Sequence, residues 1–149
     1  MTPLQNAKIS SSLIGLHQSI IFKFVAMMNV YREILPDSYL LILTDEQRTI
    51  EPEALKRALH RAGDSGKTNV WVDCSEFHHP SKAVIQLLGD FCVRLRHQHI
   101  PLVLCHLEDR TQQAVLELPV SSQPLMLATL LDASLYCRNL HATRQRLAA

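Results

Sequence analysis

A polar turn between an apolar strand and a helix carries the side chains of this sequence that are best placed for chemistry. The turn lies within residues 70–88, VWVDCSEFHHPSKAVIQLL, and reads His78-His79-Pro80-Ser81-Lys82. Turns of this kind often hold functional groups, because a rigid scaffold positions them. Ser81 can cap the following helix. Lys82 would place a positive charge beside free backbone N–H groups and attract an anion or an acidic partner. A solvated lysine after a capped turn accounts for the residue equally well.

Asp73 lies near the carboxyl end of a predicted central strand, which is where open α/β sheets bind their ligands. A lone carboxylate needs a positioned partner for acid–base chemistry. The sequence offers no acid pair at helical spacing, no nucleophile elbow and no glycine-rich cradle. We therefore favour a structural role, in which Asp73 caps the turn or orders Ser75. The protein is predicted not to be an enzyme, and an enzyme of unknown type stays as a third alternative.

The segment GDSGKT, residues 63–68, resembles a phosphate-binding loop in composition only. Two residues separate Gly63 from Gly66, which is fewer than the P-loop pattern requires. A P-loop also follows a strand and opens a helix, whereas this segment follows a predicted helix and precedes a strand. The similar GDSG of serine proteases would need His and Asp partners on a larger fold. We interpret the segment as a helix C-cap, at Gly63, followed by a turn.

The eight histidines and four cysteines do not suggest a metal site by their spacing. His97 and His99 close a predicted helix, where protonated histidine is favoured. Cys105 and His106 alternate along a predicted strand and would point to opposite faces. No three of these side chains converge on one tetrahedral site, so we predict neither a metal nor another cofactor.

The composition indicates one cytoplasmic domain. The chain has 149 residues, 47% of them hydrophobic, so it can form a real core, in which Trp71 and Leu88 are expected to lie between the sheet and its helices. Its formal net charge of +1 gives no strong attraction to nucleic acid. No apolar run is long enough for a membrane span; residues 20–28 come closest and contain Lys23. The first residues make a poor signal peptide. The cysteines form no C-x-x-C pair, and buried free thiols are expected rather than disulfides.

From Met28 onward the hydrophobic pattern is regular and predicts five strands and four helices. The strands lie in NVYREIL, YLLILTDE, VWVDC, PLVLCHL and PLMLA, and the turn PDS joins the first two in a β-hairpin. The helices begin near Pro52, after Ser81, in EDRTQQAVLEL, and at Thr129 or Asp132. The order β, β, α, β, α, β, α, β, α implies an α/β fold in which right-handed helical crossovers join parallel strands.

Residues 1–27 differ from the rest of the chain. They contain no acidic residue and show no clean hydrophobic period. We predict that the folded domain covers residues 28–149. Residues 1–27 are then either an arm of uncertain structure or the result of a translation start assigned too far upstream. An amphipathic helix packed on the domain is the alternative.

The element order and the 70–88 segment resemble the STAS domain, the module of sulphate transporters and anti-sigma-factor antagonists. The resemblance covers about residues 28–140. VWVDCS at 70–75 is similar to the family's strand pattern V-L-D-L-S, and IQLL at 85–88 is similar to its helix pattern L-x-x-L-L. PLVLCHLEDRTQQAVLEL is similar to the family's next strand and helix. The resemblance implies a STAS-like fold, with an N-terminal β-hairpin, then alternating helices and strands, and helices packed against a mixed sheet.

The turn takes the place of the family's D-S-S-G motif, whose second serine accepts phosphate from a partner kinase. Aligned from the helix side, Pro80, Lys82 and Ala83 stand where the family has the aspartate, the second serine and the glycine. Only Ser81 remains a serine, so the resemblance implies a module without the usual phospho-switch. Ser81 could be a substitute acceptor, because the helix N-terminus and Lys82 would stabilise a phosphate. A role of Ser81 as the N-cap of the helix is the simpler explanation for a serine at this position.

The resemblance implies a non-catalytic protein-interaction module of a bacterial signalling system. Its partner, an anti-sigma-factor kinase or another regulator, would dock on the exposed face of the following helix and on His78, His79, Pro80, Ser81 and Lys82. The alternative is an accessory module of a transport system or a small-molecule sensor, since STAS-like folds also serve in transport.

Overall fold

The computed structural model describes residues 29–46 and 48–149 of the chain. The strands in this part are β1 Val30–Ile34, β2 Ser38–Thr44, β3 Asn69–Glu76, β4 Leu102–Cys105 and β5 Leu125–Leu127. The helices are α1 Pro52–Gly63, α2 Lys82–His97, α3 Asp109–Leu116 and α4 Leu130–Ala148, and a 3-10 turn, Val120–Ser122, precedes β5. The predicted arm at residues 1–27 and the domain boundary at Met28 lie outside the described residues and stay predictions.

The five strands form one mixed sheet, in the same order as they occur along the chain. β1 and β2 are antiparallel and form the predicted hairpin, which Leu35 N–H closes by donating to the Ser38 carbonyl at 2.9 Å. β2, β3, β4 and β5 run parallel to one another. The carboxyl ends of β2, β3 and β4 therefore meet at one edge of the sheet, where Thr44 pairs with Glu76. The predicted element order and the α/β class are confirmed.

Hydrophobic clusters cover both faces of the sheet. Helices α1, α2 and α3 pack on one face, around buried side chains that include Leu41, Leu43, Leu55, Leu59, Val70, Val72, Leu88 and Leu104. Helix α4 packs on the other face, where the buried residues are Leu40, Trp71, Val103, Cys105, Ala133 and Cys137. Side chains along β2, β3, β4 and β5 alternate between the two clusters, as the pleat requires. Among the described helices, none is both long and apolar enough to cross a membrane.

The sequence predicted several details of the core correctly. Trp71 is 7% exposed and Leu88 is fully buried, as expected for residues between the sheet and its helices. All four cysteines are buried and unlinked. The Trp71 indole N–H donates to the sulphur of Cys137 at 3.5 Å, which ties α4 to the middle of the sheet.

The start of α4 was predicted at Thr129 or Asp132, and the structure places the cap at Thr129. Its hydroxyl accepts a hydrogen bond from Asp132 N–H at 3.1 Å, and the Asp132 carboxylate accepts one from Thr129 N–H at 3.2 Å. This reciprocal pair is a capping box.

Two sequence-based details were wrong. Gly63 is the last residue of α1, and the C-cap is Asp64. His106 does not alternate with Cys105 along a strand, because β4 ends at Cys105 and His106 has a φ of 57°. Its N–H donates to the Ala128 carbonyl at 3.2 Å, beyond the end of β5.

Candidate functional site

The predicted turn lies between β3 and α2, at the carboxyl edge of the sheet. Ser81 is the N-cap of α2, with extended backbone (φ −84°, ψ 151°). Its Oγ accepts a hydrogen bond from Val84 N–H at 3.2 Å, and its carbonyl accepts one from Ile85 N–H at 3.0 Å. The hydroxyl therefore satisfies a backbone donor that would otherwise lack a partner in the first turn of the helix.

A buried carboxylate directly after β2 holds the turn in place, and the sequence analysis did not identify it. Asp45 directly follows β2 and is 3% exposed. Its two oxygens accept hydrogen bonds from the backbone N–H groups of His78, at 2.9 Å, and His79, at 2.6 Å. Its own N–H donates to the Glu76 carbonyl at 3.1 Å, which extends the contact between β2 and β3. Asp45 thus fixes the backbone of the turn.

The His78 side chain lies among carboxylates. Its Nδ1 is hydrogen-bonded to Glu108, and its Nε2 lies 3.7 Å from a carboxylate oxygen of Glu76. The hydrogen bond to Glu108 raises the pKa of His78 above its ordinary value, against a smaller opposing effect of desolvation. The hydrogen bond that protonated Glu46 donates to the Glu76 carboxylate, together with repulsion between the two carboxylates, raises the pKa of Glu46. Positive charge is therefore favoured on this side of the turn.

The opposite side of the turn is open to solvent. His79 and Lys82 are exposed, and Lys82 forms no salt bridge within the part of the chain that the structure describes. An open cavity of about 410 Å³ lies next to Lys82, between the start of α2 and the end of α3, and its lining includes Pro80, Ser81, Ile85, Gln86, Ala114 and Glu117. A concave surface beside an unpaired cation can receive a side chain of a partner protein.

Asp73 has the structural role that we favoured. Its Oδ1 accepts a hydrogen bond from Ser75 N–H at 3.0 Å, which orders the end of β3.

The only convergent group of potential metal ligands in the described ranges was not predicted. It consists of Glu46, Glu76 and His78, whose ligand atoms all lie within 4.8 Å of one another. The histidines and the cysteine considered from the sequence, at positions 97, 99, 105 and 106, do not belong to it. Glu46 and Glu76 meet only because β2 and β3 pair in parallel, so no local spacing in the sequence reveals the group.

Comparison with solved structures gives several similar folds at low sequence identity. A variant of RsbS from Moorella thermoacetica has a TM-score of 0.64 and 14% identity, over 76% of this chain and 97% of that chain. A chain of the stressosome, a signal integration and transduction hub, has a TM-score of 0.59 and 14% identity, over 74% of this chain and 98% of that chain. The anti-sigma factor antagonist SpoIIAA in its unphosphorylated form has a TM-score of 0.54 and 11% identity, over 71% of this chain and 94% of that chain.

No model of a known protein family matches the chain, and no curated protein matches it significantly. At identities of 11–14%, the similar structures show a shared fold and do not transfer a function. The shared fold extends over most of each similar chain. The resemblance predicted from the sequence is confirmed at this level: the chain has the STAS fold of the anti-sigma-factor antagonists.

Proposed function

We propose that this protein is a non-catalytic interaction module of a bacterial signalling system, in which a protein partner docks on the turn from His78 to Lys82. The preformed turn is the observation that carries the proposal. Asp45 fixes its backbone through two hydrogen bonds, while His79 and Lys82 stay exposed. A surface that is already ordered loses less conformational entropy on binding, so more of the contact energy appears as affinity.

The exposed face of α2 extends this surface. Ala83, Gln86, Asp90 and Arg94 recur at helical spacing and are all exposed. The Gln86 side chain donates to Asp90 at 2.9 Å, which orders the middle of the face. The open cavity beside Lys82 adjoins the same face. A partner that contacts the turn would therefore also contact α2.

The fold favours an anti-sigma-factor kinase or another regulatory protein as the partner. Among the similar structures, one is an anti-sigma factor antagonist and another belongs to the stressosome. Proteins of both kinds act through contacts with other proteins, which supports a binding role for this chain and gives no support to catalysis.

Docking is constitutive in this proposal. Lys82 stands where the resemblance places the phosphate acceptor, and an amine there cannot replace the serine hydroxyl. The Ser81 hydroxyl already accepts a hydrogen bond from Val84 N–H as the helix cap. Lys82 instead offers a fixed positive charge that suits an acidic partner surface.

Partner capture followed by a binding assay tests the proposal. The tagged protein is used to isolate a partner from cells of its own organism, and calorimetry then measures the affinity of each variant. Lys82→Glu is expected to weaken binding by about tenfold or more, equivalent to about 1.4 kcal/mol. Ser81→Asp should retain the affinity, because aspartate also caps helices. Lys56→Glu, at an exposed position of α1, makes the same charge change and is the matched control.

Two results would contradict the proposal. An equal loss of affinity in Lys56→Glu and Lys82→Glu would indicate a general charge effect and no docking site at the turn. Loss of binding in a folded Ser81→Asp protein, with Lys82 intact, would indicate that a phosphorylation switch operates at Ser81.

A second cavity supports the alternative function of a small-molecule sensor. It has a volume of about 450 Å³, lies between the hairpin turn and α4, and is lined by residues that include Leu35, Trp71, Cys137, Arg138 and His141. Cavities that bind small ligands have volumes of roughly 300–1,000 Å³. Trp71 is the only tryptophan of the chain and lines this cavity, so its fluorescence can report a ligand bound there. A co-purifying small molecule that changes this fluorescence, in the absence of a protein partner, would favour the sensor.

A further inference from the structure

Three potential metal ligands from two strand ends and the turn converge at the carboxyl edge of the sheet. Glu46 lies just beyond β2, Glu76 is the last residue of β3, and His78 begins the turn. Their ligand atoms all lie within 4.8 Å of one another, and His78 Nε2 is 3.7 Å from Glu76. Atoms bound tetrahedrally to one zinc ion at about 2.1 Å lie about 3.4 Å from each other. Small side-chain rotations would therefore bring the three groups onto one ion.

The His78 ring is oriented in the way that metal-bound histidines usually are. A metal-ligating histidine typically donates its second ring N–H to a carboxylate, which fixes its tautomer and its direction. Here Glu108, the N-cap residue of α3, is hydrogen-bonded to Nδ1, and Nε2 remains directed at Glu76. The backbone N–H of His78 is held by Asp45 at the same time. The ring is thus positioned by contacts outside the three-residue group.

Glu46 and Glu76 form a close pair of like charges. Their carboxylate oxygens lie within 4.8 Å of each other, so the two charges repel. A divalent cation bound between them would remove this repulsion. Both side chains are exposed, so an ion can enter and keep water in its remaining coordination positions.

We propose that Glu46, Glu76 and His78 bind a divalent transition-metal ion, with preference for Zn²⁺ over Mn²⁺ and Mg²⁺, and that Glu108 is a positioning residue for His78. Imidazole together with carboxylates suits Zn²⁺, and the order of stabilities for a fixed ligand set places Zn²⁺ above Mn²⁺. Mg²⁺ prefers oxygen ligands alone and gives up its water reluctantly. The ion would join β2, β3 and the turn. The proposal does not depend on a docking partner, because the protein alone contains all three ligands.

Calorimetric titration of the purified full-length chain tests the site. The protein is first treated with a chelator and then titrated with ZnCl₂, MnCl₂ or MgCl₂ at neutral pH. We expect a single saturable Zn²⁺ site, weaker binding of Mn²⁺ and no heat of binding with Mg²⁺. Glu108→Gln should lower the Zn²⁺ affinity by about 10–100-fold, as replacements of supporting carboxylates do, and His78→Ala should lower it further. His79→Ala removes the adjacent histidine of the same turn and should leave the affinity unchanged.

The comparison of the two histidines decides the outcome. Zn²⁺ affinity that persists in a folded His78→Ala protein, or that falls equally in His79→Ala, would overturn the proposal, as would a wild-type chain that binds no Zn²⁺. Circular dichroism checks that each variant is folded. If His78→Ala does not fold, Glu76→Gln tests an exposed ligand in its place, with Glu33→Gln on β1 as the matched control. Equal affinities for Zn²⁺ in these two variants would again overturn the proposal.

Discussion

Asp45→Ala removes the carboxylate that fixes the turn from His78 to Lys82, and its effect on stability can be calculated from the contacts. The side chain accepts two backbone hydrogen bonds, at 2.9 Å from His78 and 2.6 Å from His79. A hydrogen bond to a charged group contributes about 1.5–3 kcal/mol. His79 is exposed, so water can replace part of its bond after the substitution. We therefore expect the free energy of unfolding to fall by about 3 kcal/mol, the lower end of the sum.

Urea unfolding, followed by the fluorescence of Trp71, measures this change. Asp45→Asn keeps one acceptor oxygen and places an amide donor opposite an N–H group, so its loss should lie between those of the wild type and Asp45→Ala. Asp64→Ala is the control, since Asp64 is exposed and a surface change of this kind usually stays within about 0.5 kcal/mol. If Asp45→Ala costs less than about 1 kcal/mol, other contacts hold the turn, and the explanation for a preformed docking surface is refuted.

Other predictions concern the core, the thiols and the histidine of the turn. Leu88→Ala should cost about 2–5 kcal/mol in the same unfolding assay, and a cost under about 1 kcal/mol would contradict the burial of α2. Intact mass under non-reducing conditions should match four free thiols, and a mass that indicates disulfides would refute the prediction of free thiols. A thiol reagent should react slowly with Cys105 in the folded chain, because burial raises the pKa of this thiol to about 12. In NMR titration of the metal-free protein, the pKa of His78 should lie above its ordinary value and fall in Glu108→Gln. An unchanged pKa of His78 in Glu108→Gln would exclude Glu108 as the cause. Because the pKa of His78 is raised in the folded state, its contribution to stability is complete below its ordinary pKa and disappears as the pH rises through the folded-state pKa.

The elements were predictable because hydrophobic periodicity and capping are local properties of the sequence. The burial of Leu88 followed from its place in a helical apolar stripe, and the caps at Ser81 and Thr129 followed from hydroxyl residues directly before such stripes. The two errors, at Gly63 and His106, both fall at element ends, where one residue of difference changes the interpretation.

The contacts that shape the turn were not predictable in this way. Asp45 lies 33 residues before His78, and Glu108 lies 30 residues after it. Their approach depends on which strands are neighbours and in which register, and neither follows from the spacing of residues along one element. An acidic residue directly after a buried strand is a weak signal for Asp45, because the carboxyl ends of parallel strands meet at one edge.

The strand order of the sheet suggests how the chain can fold during synthesis. Each strand pairs with the strand made immediately before it, so no strand waits for a partner from the far end of the chain. The hairpin of β1 and β2 is the most local pair, and β3, β4 and β5 can then add one by one to an existing edge. Asp45 is translated before His78, and Glu108 is translated before α4 begins. The turn from His78 to Lys82 and the residues that hold it can therefore meet on a nascent chain whose last helix has not yet been translated.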